Sequence, residues 1–490
     1  MTLHLADEEI IHTHPGSITS STYESPHIWW FTTLSILVSL LVLEQVVYRF
    51  KKRHLPGNNW TIPIIGKFAD SLRPTMENYK SMWNAGPLAV TSVFNIFIVM
   101  ASDNEYSRKI MNSPTYAVPC LVQSAKTIMG ERNWIFLTGQ EHVDYRKGLN
   151  VLFTRKALGM YTAVQDAVVR RHFADWIADS NDSKPAAKPI MWTVRFLNMD
   201  LSLNVFCGKH IPDYAKREIF DKYWLVTRAL ELVNFPFAFP GTKVYRAKKT
   251  VEMATEWLRK ASASSREAMA KGGQSECLMD EWMKAMSDPT YKSKHRKEFS
   301  DQEVAMSVFS FLFASQDAMA SALIFGFQLL ADHPKVVAKL RGEQERIRHG
   351  DFEAPLTLEL MDEMPYLQAT VKEVLRLVSP VTMVPYTATR DFPLSENYTV
   401  PAGSMVIPAY YPSLHDPKVY PDPDSFIPER WLDPNGTANT NPQYFLVYGS
   451  GPHRCIGQEY ANISIGVVLA TLVVMFDMEH EITLDSYKIE

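Results

Sequence analysis

The run Val304–Leu330 restricts the fold more than any other stretch of the chain. It is 27 residues long and Asp317 is its only ionisable group. As a helix it reaches about 40 Å. A helix that is apolar all round either spans a bilayer or forms the axis of a large core. Ser307, Ser310, Ser315, Gln316, Asp317 and Ser321 interrupt the run too often for lipid. The run is therefore expected to be a buried central helix, and its lone carboxylate needs a reason to be inside. A second apolar stretch, Ser464–Phe476, is too short to span a membrane.

A different run meets the membrane criteria. Ile28–Tyr48 carries one charge, Glu44, and as a helix it covers roughly 30 Å, the thickness of a bilayer core. Trp29 and Trp30 lie at one edge and Tyr48 at the other, positions suited to headgroup aromatics. Arg49, Lys51, Lys52 and Arg53 follow at once and should stay cytoplasmic. A cleaved signal peptide would need a basic leader and a small-residue cleavage site, which this segment lacks. The expected organisation is a lumenal tail over 1–27, an anchor over 28–48, a basic and Pro/Gly-rich hinge over 49–66, and one catalytic domain over 67–490.

The net charge is −4, and the first 27 residues contain four acids and no Lys or Arg, so the rest is formally neutral. A nucleic-acid partner, which would call for a basic excess, is not expected. The four cysteines, at 120, 207, 277 and 455, are widely separated and form neither a zinc spacing nor a disulfide framework. Leu88–Ala101 is rich in Val, Ile, Phe and Thr and predicts strands. Residues 140–345 are helical in pattern, and short strands with Pro-rich loops follow Pro380. The fold class is mainly α with small β-sheets (α+β).

The segment Tyr448-Gly449-Ser450-Gly451-Pro452-His453-Arg454-Cys455-Ile456-Gly457 is the most informative chemically. Gly449 and Gly451 permit a tight turn whose backbone N–H groups can point at a sulfur. Cys455 precedes an apolar helix, where N–H groups and the helix dipole favour a thiolate. Gly457 lets a flat ligand press against that helix. Thiolate-ligated haem requires this arrangement. An isolated cysteine would more simply be a buried small hydrophobe, but the flanking glycines and His453 argue against that.

With these residues the sequence resembles the cytochrome P-450 haem-thiolate family over nearly its whole length. Glu373-Val374-Leu375-Arg376 matches the family's Glu-x-x-Arg pair, and Pro428-Glu429-Arg430-Trp431 resembles the loop whose Arg joins it. Alone, Glu373 and Arg376 would be an ordinary surface ion pair. Thr138–Lys147 resembles the helix that usually reads Trp-x-x-x-Arg, with His142 in place of Trp. The resemblance implies that Arg146 and His453 hold haem propionates, with His142 beside them. Ala314-Ser315-Gln316-Asp317-Ala318-Met319 resembles the oxygen-activation helix, but Ala318 stands where most members carry Thr. Asp317, Gln316, Ser315 or ordered water is left to relay protons.

Phe311–Asp317, Trp134–Gly139, His142–Leu149, Leu152–Gly159, Phe239–Thr242 and Pro380–Pro385 are similar to the sterol C-22 desaturase branch. That likeness implies an enzyme of the endoplasmic reticulum membrane, single-pass, with its catalytic domain cytoplasmic. It would use haem b, O2 and electrons from NADPH through a cytochrome P-450 reductase to form a C22=C23 bond in a sterol. Phe313, Ala314, Val381, Thr382, Met383 and Val384 would contact substrate, and Phe235, Phe237 and Phe239 would border the entrance or simply pack in the core. The alternatives are a sterol or fatty-acid hydroxylase, a haem-thiolate isomerase that does not use O2, and a non-catalytic sterol-binding protein. The chain ends at Glu490, 35 residues past Cys455, where the family usually continues through another β-hairpin. Sequons at Asn59, Asn181, Asn397, Asn435 and Asn462 all follow the anchor. On expression in eukaryotic membranes, glycosidase treatment is expected to leave electrophoretic mobility unchanged.

Overall fold

The computed structural model describes residues 26–66, 75–120, 123–181, 188–230, 237–289 and 298–483. Most of the tail, Phe235 and the final residues lie outside the described residues. In chain order the helices that build the site are α1 (Pro26–Lys52), α2 (Gly139–Leu149), α3 (Arg155–Asn181), α4 (Met191–Cys207), α5 (Asp213–Ala229), α6 (Lys243–Ala270), α7 (Asp301–Asp332), α8 (Pro365–Leu377) and α9 (Gln458–Met475). The apolar central run is α7. Ser300 starts it with a capping box, its hydroxyl accepting the Glu303 amide while the Glu303 carboxylate accepts its own. His333 and Pro334 end it, because a proline cannot continue the hydrogen-bond ladder.

Among the described residues three helices are long and apolar enough to cross a membrane. Only 6% of the apolar window of α1 is buried, against 61% for α7 and 67% for α9. That difference separates an uncovered helix, the candidate membrane anchor, from two core helices. α4 and α6 flank α7, α9 crosses it, and α3 packs on both α4 and α9. At the crossing α7 carries Gly326, where a Cβ would already lie 3.4 Å from Leu469. The two helices are therefore in closest contact there. Toward their other ends the facing surfaces are open, with Ala314 and Cys455 both exposed.

A five-stranded sheet lies to one side, in the order β1 (Leu88–Val93), β2 (Ile96–Ala101), β7 (Met405–Pro408), β4 (Tyr386–Ala388), β3 (Ala117–Pro119). β2 and β7 run parallel and the other pairs antiparallel. β5 (Phe392–Ser395) and β6 (Tyr398–Val400) form a separate hairpin.

The junction of anchor and globule differs from the expected hinge. Residues after α1 double back and attach to β1: the Val90 amide donates to Pro56 O at 2.9 Å, and Gly66 bridges Val93. Gly57 has φ +136°, and a Cβ there would sit 2.2 Å from Val90 O. The last turns of α1 are held by the same strap. Tyr48 donates to Asn58 O at 3.0 Å, Glu44 accepts the Ile64 amide at 2.8 Å, and Tyr398 donates to Lys51 O at 2.8 Å. Tyr48 is thus a core residue packed edge-on to Phe97, not a headgroup aromatic. Many satisfied hydrogen bonds fix the angle at which α1 leaves the globule. Gly57→Ala is expected to cost about 1–3 kcal/mol, lowering the thermal midpoint and exposing residues 53–66 to limited proteolysis.

Candidate active site

The loop before α9 is built by its glycines. Gly449 and Gly451 have φ +68° and +73°, and a Cβ on Gly451 would lie 2.3 Å from Met111 O. Gly451 is therefore required as much by the close pass over Met111 as by the turn. Asn112 donates to Ser450 Oγ at 3.0 Å, and the Cys455 amide donates to Tyr448 O at 3.0 Å, closing the loop. The Tyr448 hydroxyl donates to Asn462 Oδ1 at 2.5 Å, tying the loop to α9. The sulfur of Cys455 accepts the Gly457 amide. Burial pushes the thiol pKa up, and the Gly457 N–H and the charges of Arg146 and Arg454 only partly offset it. A coordinated cation would enforce the thiolate.

Above the sulfur is a basic cluster. The His142 and His453 rings stack with centroids 4.0 Å apart, and Arg146 of α2 reaches across to donate to Arg454 O. Burial, then the neighbouring cations, keeps both imidazoles neutral: His142 is lowered and His453 falls to about 4. Among the described residues no carboxylate is paired with these three groups. One face of α7 carries an open stripe, with Ala314 exposed and Phe313, Asp317, Ala318 and Ser321 half-buried. A Cβ on Gly457 would meet nothing within 4 Å. A flat ligand with a thiophilic metal and two acidic arms fits this slot, and haem has those properties.

A buried ionic lock stands behind the loop. Glu373 of α8 takes both Arg376 Nε and Nη2 at 2.9 Å, Arg430 Nε at 3.0 Å, Trp431 Nε1 at 2.9 Å and the Ile427 amide at 3.1 Å. The rest of the Arg376 guanidinium is spent on Leu414 O, Pro423 O and Ser425 O. Glu373 and Arg376 are both 0% exposed, which rules out a solvated surface pair. Trp431 and the Ile427 amide also belong to the lock, although no local pattern in the chain marks either as a donor to Glu373.

On α7 the two proposed relay groups face away from each other's tasks. Asp317 accepts from Arg195 of α4 at 2.6 Å and from Thr227 of α5 at 3.0 Å. Arg195 is the reason this carboxylate is tolerated in an apolar helix. It also borders a surface cavity of about 550 Å³ lined by Trp192, Trp224 and Arg228. Gln316 is turned into α4: its Nε2 donates to Arg195 O at 2.9 Å and its Oε1 accepts from Asn198 at 3.1 Å. With both ends engaged it is a strut between helices, which corrects its expected role as a proton relay.

Among the expected substrate contacts, Phe313 and Ala314 lie on the open stripe. Val381 is exposed, Thr382 O accepts the Tyr410 amide at 2.7 Å, and Val384 packs on the main core. Met383 instead packs with Trp83, Met100 and Ala409 on the sheet, because alternate residues of an extended run point opposite ways. Phe237 and Phe239 are exposed, with ring centroids 6.0 Å apart.

Among the described residues one other group has metal-ligand chemistry: His210, Cys277 and Asp280. His210 bonds Ser264 and Asp280, each at 2.9 Å, while Asp280 also takes Ser265 and the Glu276 amide. Its donors and acceptors satisfy one another.

A model of the Cytochrome P450 family matches residues 62–486. The C-22 sterol desaturase erg5 of Aspergillus fumigatus is 41% identical over 94% of this chain and 91% of its own length. C-22 sterol desaturase ERG5 of Saccharomyces cerevisiae is 41% identical over 93% of this chain and 86% of its own. Cytochrome P450 monooxygenase oblE of Emericella variicolor is 38% identical over 94% and 90%. The solved structure of retinoic acid bound cyanobacterial CYP120A1 aligns with TM-score 0.72 at 22% identity, covering 86% of this chain and 91% of that one, a likeness of fold. Removing the charge of Glu373 by Glu373→Gln would leave two guanidiniums buried without a counter-ion. A loss of about 3–5 kcal/mol is expected, read as a fall in the urea midpoint and in the yield of haem-loaded protein.

Proposed function

Because the chain belongs to the cytochrome P450 family, we propose that it is a sterol C-22 desaturase, an oxidoreductase that introduces the C22=C23 double bond of a sterol side chain. The observation that carries this reading is identity of 37–41% to C-22 sterol desaturases of four fungi over more than nine-tenths of the chain. The open slot between α7 and Cys455 and its basic rim support haem as the cofactor. Haem b with a thiolate ligand supplies the oxidising power: O2, two electrons and two protons are converted to water as the sterol loses two hydrogens.

Within this reading Cys455 would hold the haem iron through its sulfur. His142, Arg146 and His453 hold the propionates by charge-assisted hydrogen bonds. The lock of Glu373, Arg376 and Arg430 keeps the loop rigid behind them. Phe313 and Ala314 line the floor under the side chain, and Val381, Thr382 and Val384 line the wall. Holding C22 and C23 over the slot, with water excluded, favours loss of a second hydrogen over hydroxylation of the first carbon. α1 anchors the enzyme in the endoplasmic reticulum membrane in a single pass, with the catalytic domain on the cytoplasmic side. Sterols partition into bilayers, so exposed Phe237 and Phe239 suit the rim of a membrane-facing entrance. Electrons arrive from NADPH through a membrane-bound reductase docking on the Cys455 side.

A hydroxylase is the second reading, favoured by the similar coverage of the oblE monooxygenase. Expression with a reductase, followed by mass spectrometry of the sterols, separates the two. A C22 alkene that requires both NADPH and O2 is expected, and a hydroxylated sterol without the alkene would refute the desaturase. Cys455→Ser is expected to abolish the alkene and the thiolate-type Soret band of the CO complex together.

A further inference from the structure

Segments distant in the chain bring a histidine, a thiol and a carboxylate together. His210 ends the short turn Gly208–His210 after α4, Cys277 precedes the helix Leu278–Ser287, and Asp280 lies in the first turn of that helix. The ligand-type atoms of the three lie within 4.8 Å of one another. Gly208 lets the turn pass this close, since a Cβ there would sit 3.1 Å from Cys277 Cβ and 3.6 Å from its sulfur. The His210 and Asp280 side chains are 4% and 1% exposed, and Cys277 is fully buried. His210 Nε2, at 2.9 Å, and the Cys277 thiol both bond the Asp280 carboxylate. Burial, then the Asp280 charge, pushes the thiol pKa well up. A cation that binds there has to displace the thiol proton, as thiol-coordinating metals do.

Thiolate and carboxylate together carry two negative charges, which one divalent ion neutralises in a buried site, and the imidazole adds a neutral ligand. Tetrahedral zinc, with bonds of about 2.0–2.3 Å, needs ligand–ligand edges of roughly 3.3–3.8 Å, so each pair shifts by about an ångström at most. The outer partners that such a site requires are present. Ser264 of α6 holds His210 Nδ1 at 2.9 Å, Ser265 donates to Asp280 Oδ1 at 2.6 Å, and the Glu276 amide donates to Asp280 Oδ2 at 3.0 Å. A cavity of about 510 Å³ lined by Gly208, Lys209 and Glu276, chain neighbours of the ligands, gives an entry path and water for the fourth position. We propose that His210, Cys277 and Asp280 bind a thiophilic divalent cation, zinc, which ties the end of α4 to α6 and to the helix after Cys277. On binding, three metal–ligand bonds form and the S–H bond of Cys277 breaks, its proton leaving to solvent. The imidazole proton passes to Nδ1 and is donated to Ser264 Oγ, and no electron is transferred. None of these groups takes part in the haem reading, so the proposal does not rest on it.

The test titrates zinc sulfate into the full chain, purified in its native haem-loaded state without an affinity tag. Calorimetry is expected to show one ion per chain, and saturation should raise the thermal midpoint. X-ray absorption at the zinc edge should show one sulfur at about 2.3 Å with nitrogen and oxygen at about 2.0–2.2 Å. Cys277→Ser and His210→Gln should each weaken binding about 100-fold, and Ser264→Ala, which touches only the far ring nitrogen, about 10-fold. Cys120→Ser, outside the group, should bind zinc as the unaltered chain does. Absence of stoichiometric zinc, a bound zinc with no sulfur neighbour, or an affinity that Cys277→Ser leaves unchanged would overturn the site. The absorption spectrum is read on the unaltered chain, so a variant that misfolds does not decide the outcome. Zinc is counted whatever the sterol product, and failure of the desaturase assignment leaves the result interpretable.

Discussion

The structure depends on one buried carboxylate. Glu373 is removed from water with two guanidiniums, an indole and an amide around it, and no lone pair is left idle. Burying such ions is costly, and a buried ion pair is seldom a net source of stability. What the arrangement supplies is a unique geometry. Arg376 and Arg430 reach into the carbonyls of residues 414–425, so α8 fixes the long irregular segment leading to Cys455. An irregular loop cannot be held to sub-ångström precision by apolar packing alone, because apolar contacts are non-directional. Directional charge-assisted bonds can do it.

The second constraint is the pair of apolar helices α7 and α9. They touch at Gly326 and Leu469, and their exposed faces lie beyond that contact. The slot is therefore a consequence of one missing side chain on α7 combined with the rigid loop below. On another face α7 carries Ser315 and Gln316 into α4, where Ser202 and Asn198 receive them. The serines and Gln316 that kept this helix from being a lipid span are thus the residues that fasten it to its neighbours. The same fastening leaves a polar seam in the bundle interior.

Much of the site was legible before any fold was known. The glycine spacing around Cys455 identified the ligand loop, since few other tasks need two flexible positions just before a cysteine at a helix start. Glu373 and Arg376, three apart, were readable as a pair on one helix face, and Arg430 joined them by resemblance. Trp431 was not readable, because an indole that donates to a carboxylate looks like any aromatic in a chain. Tyr48 was misread for a related reason: an aromatic at the end of an apolar run looks interfacial until a strand edge folds back over it. Gln316 was misread because position on a helix does not tell which neighbour occupies that face.

By itself the sequence determined which helices must be buried, which apolar run stays uncovered, and which sulfur is proposed to hold the haem. These follow from local periodicity, run length and the conformational freedom of glycine, all of which act over a few residues. The tertiary structure alone decided the protonation bias of Cys455, the counter-ion of Asp317, the direction of Met383 and the docking of the strap on β1. Those depend on desolvation and on which groups distant in the chain come within 3 Å, and neither is encoded in any single stretch. At Cys455 desolvation by neighbouring atoms raises the thiol pKa while the Gly457 N–H and the charges of Arg146 and Arg454 lower it, a balance that only packing sets.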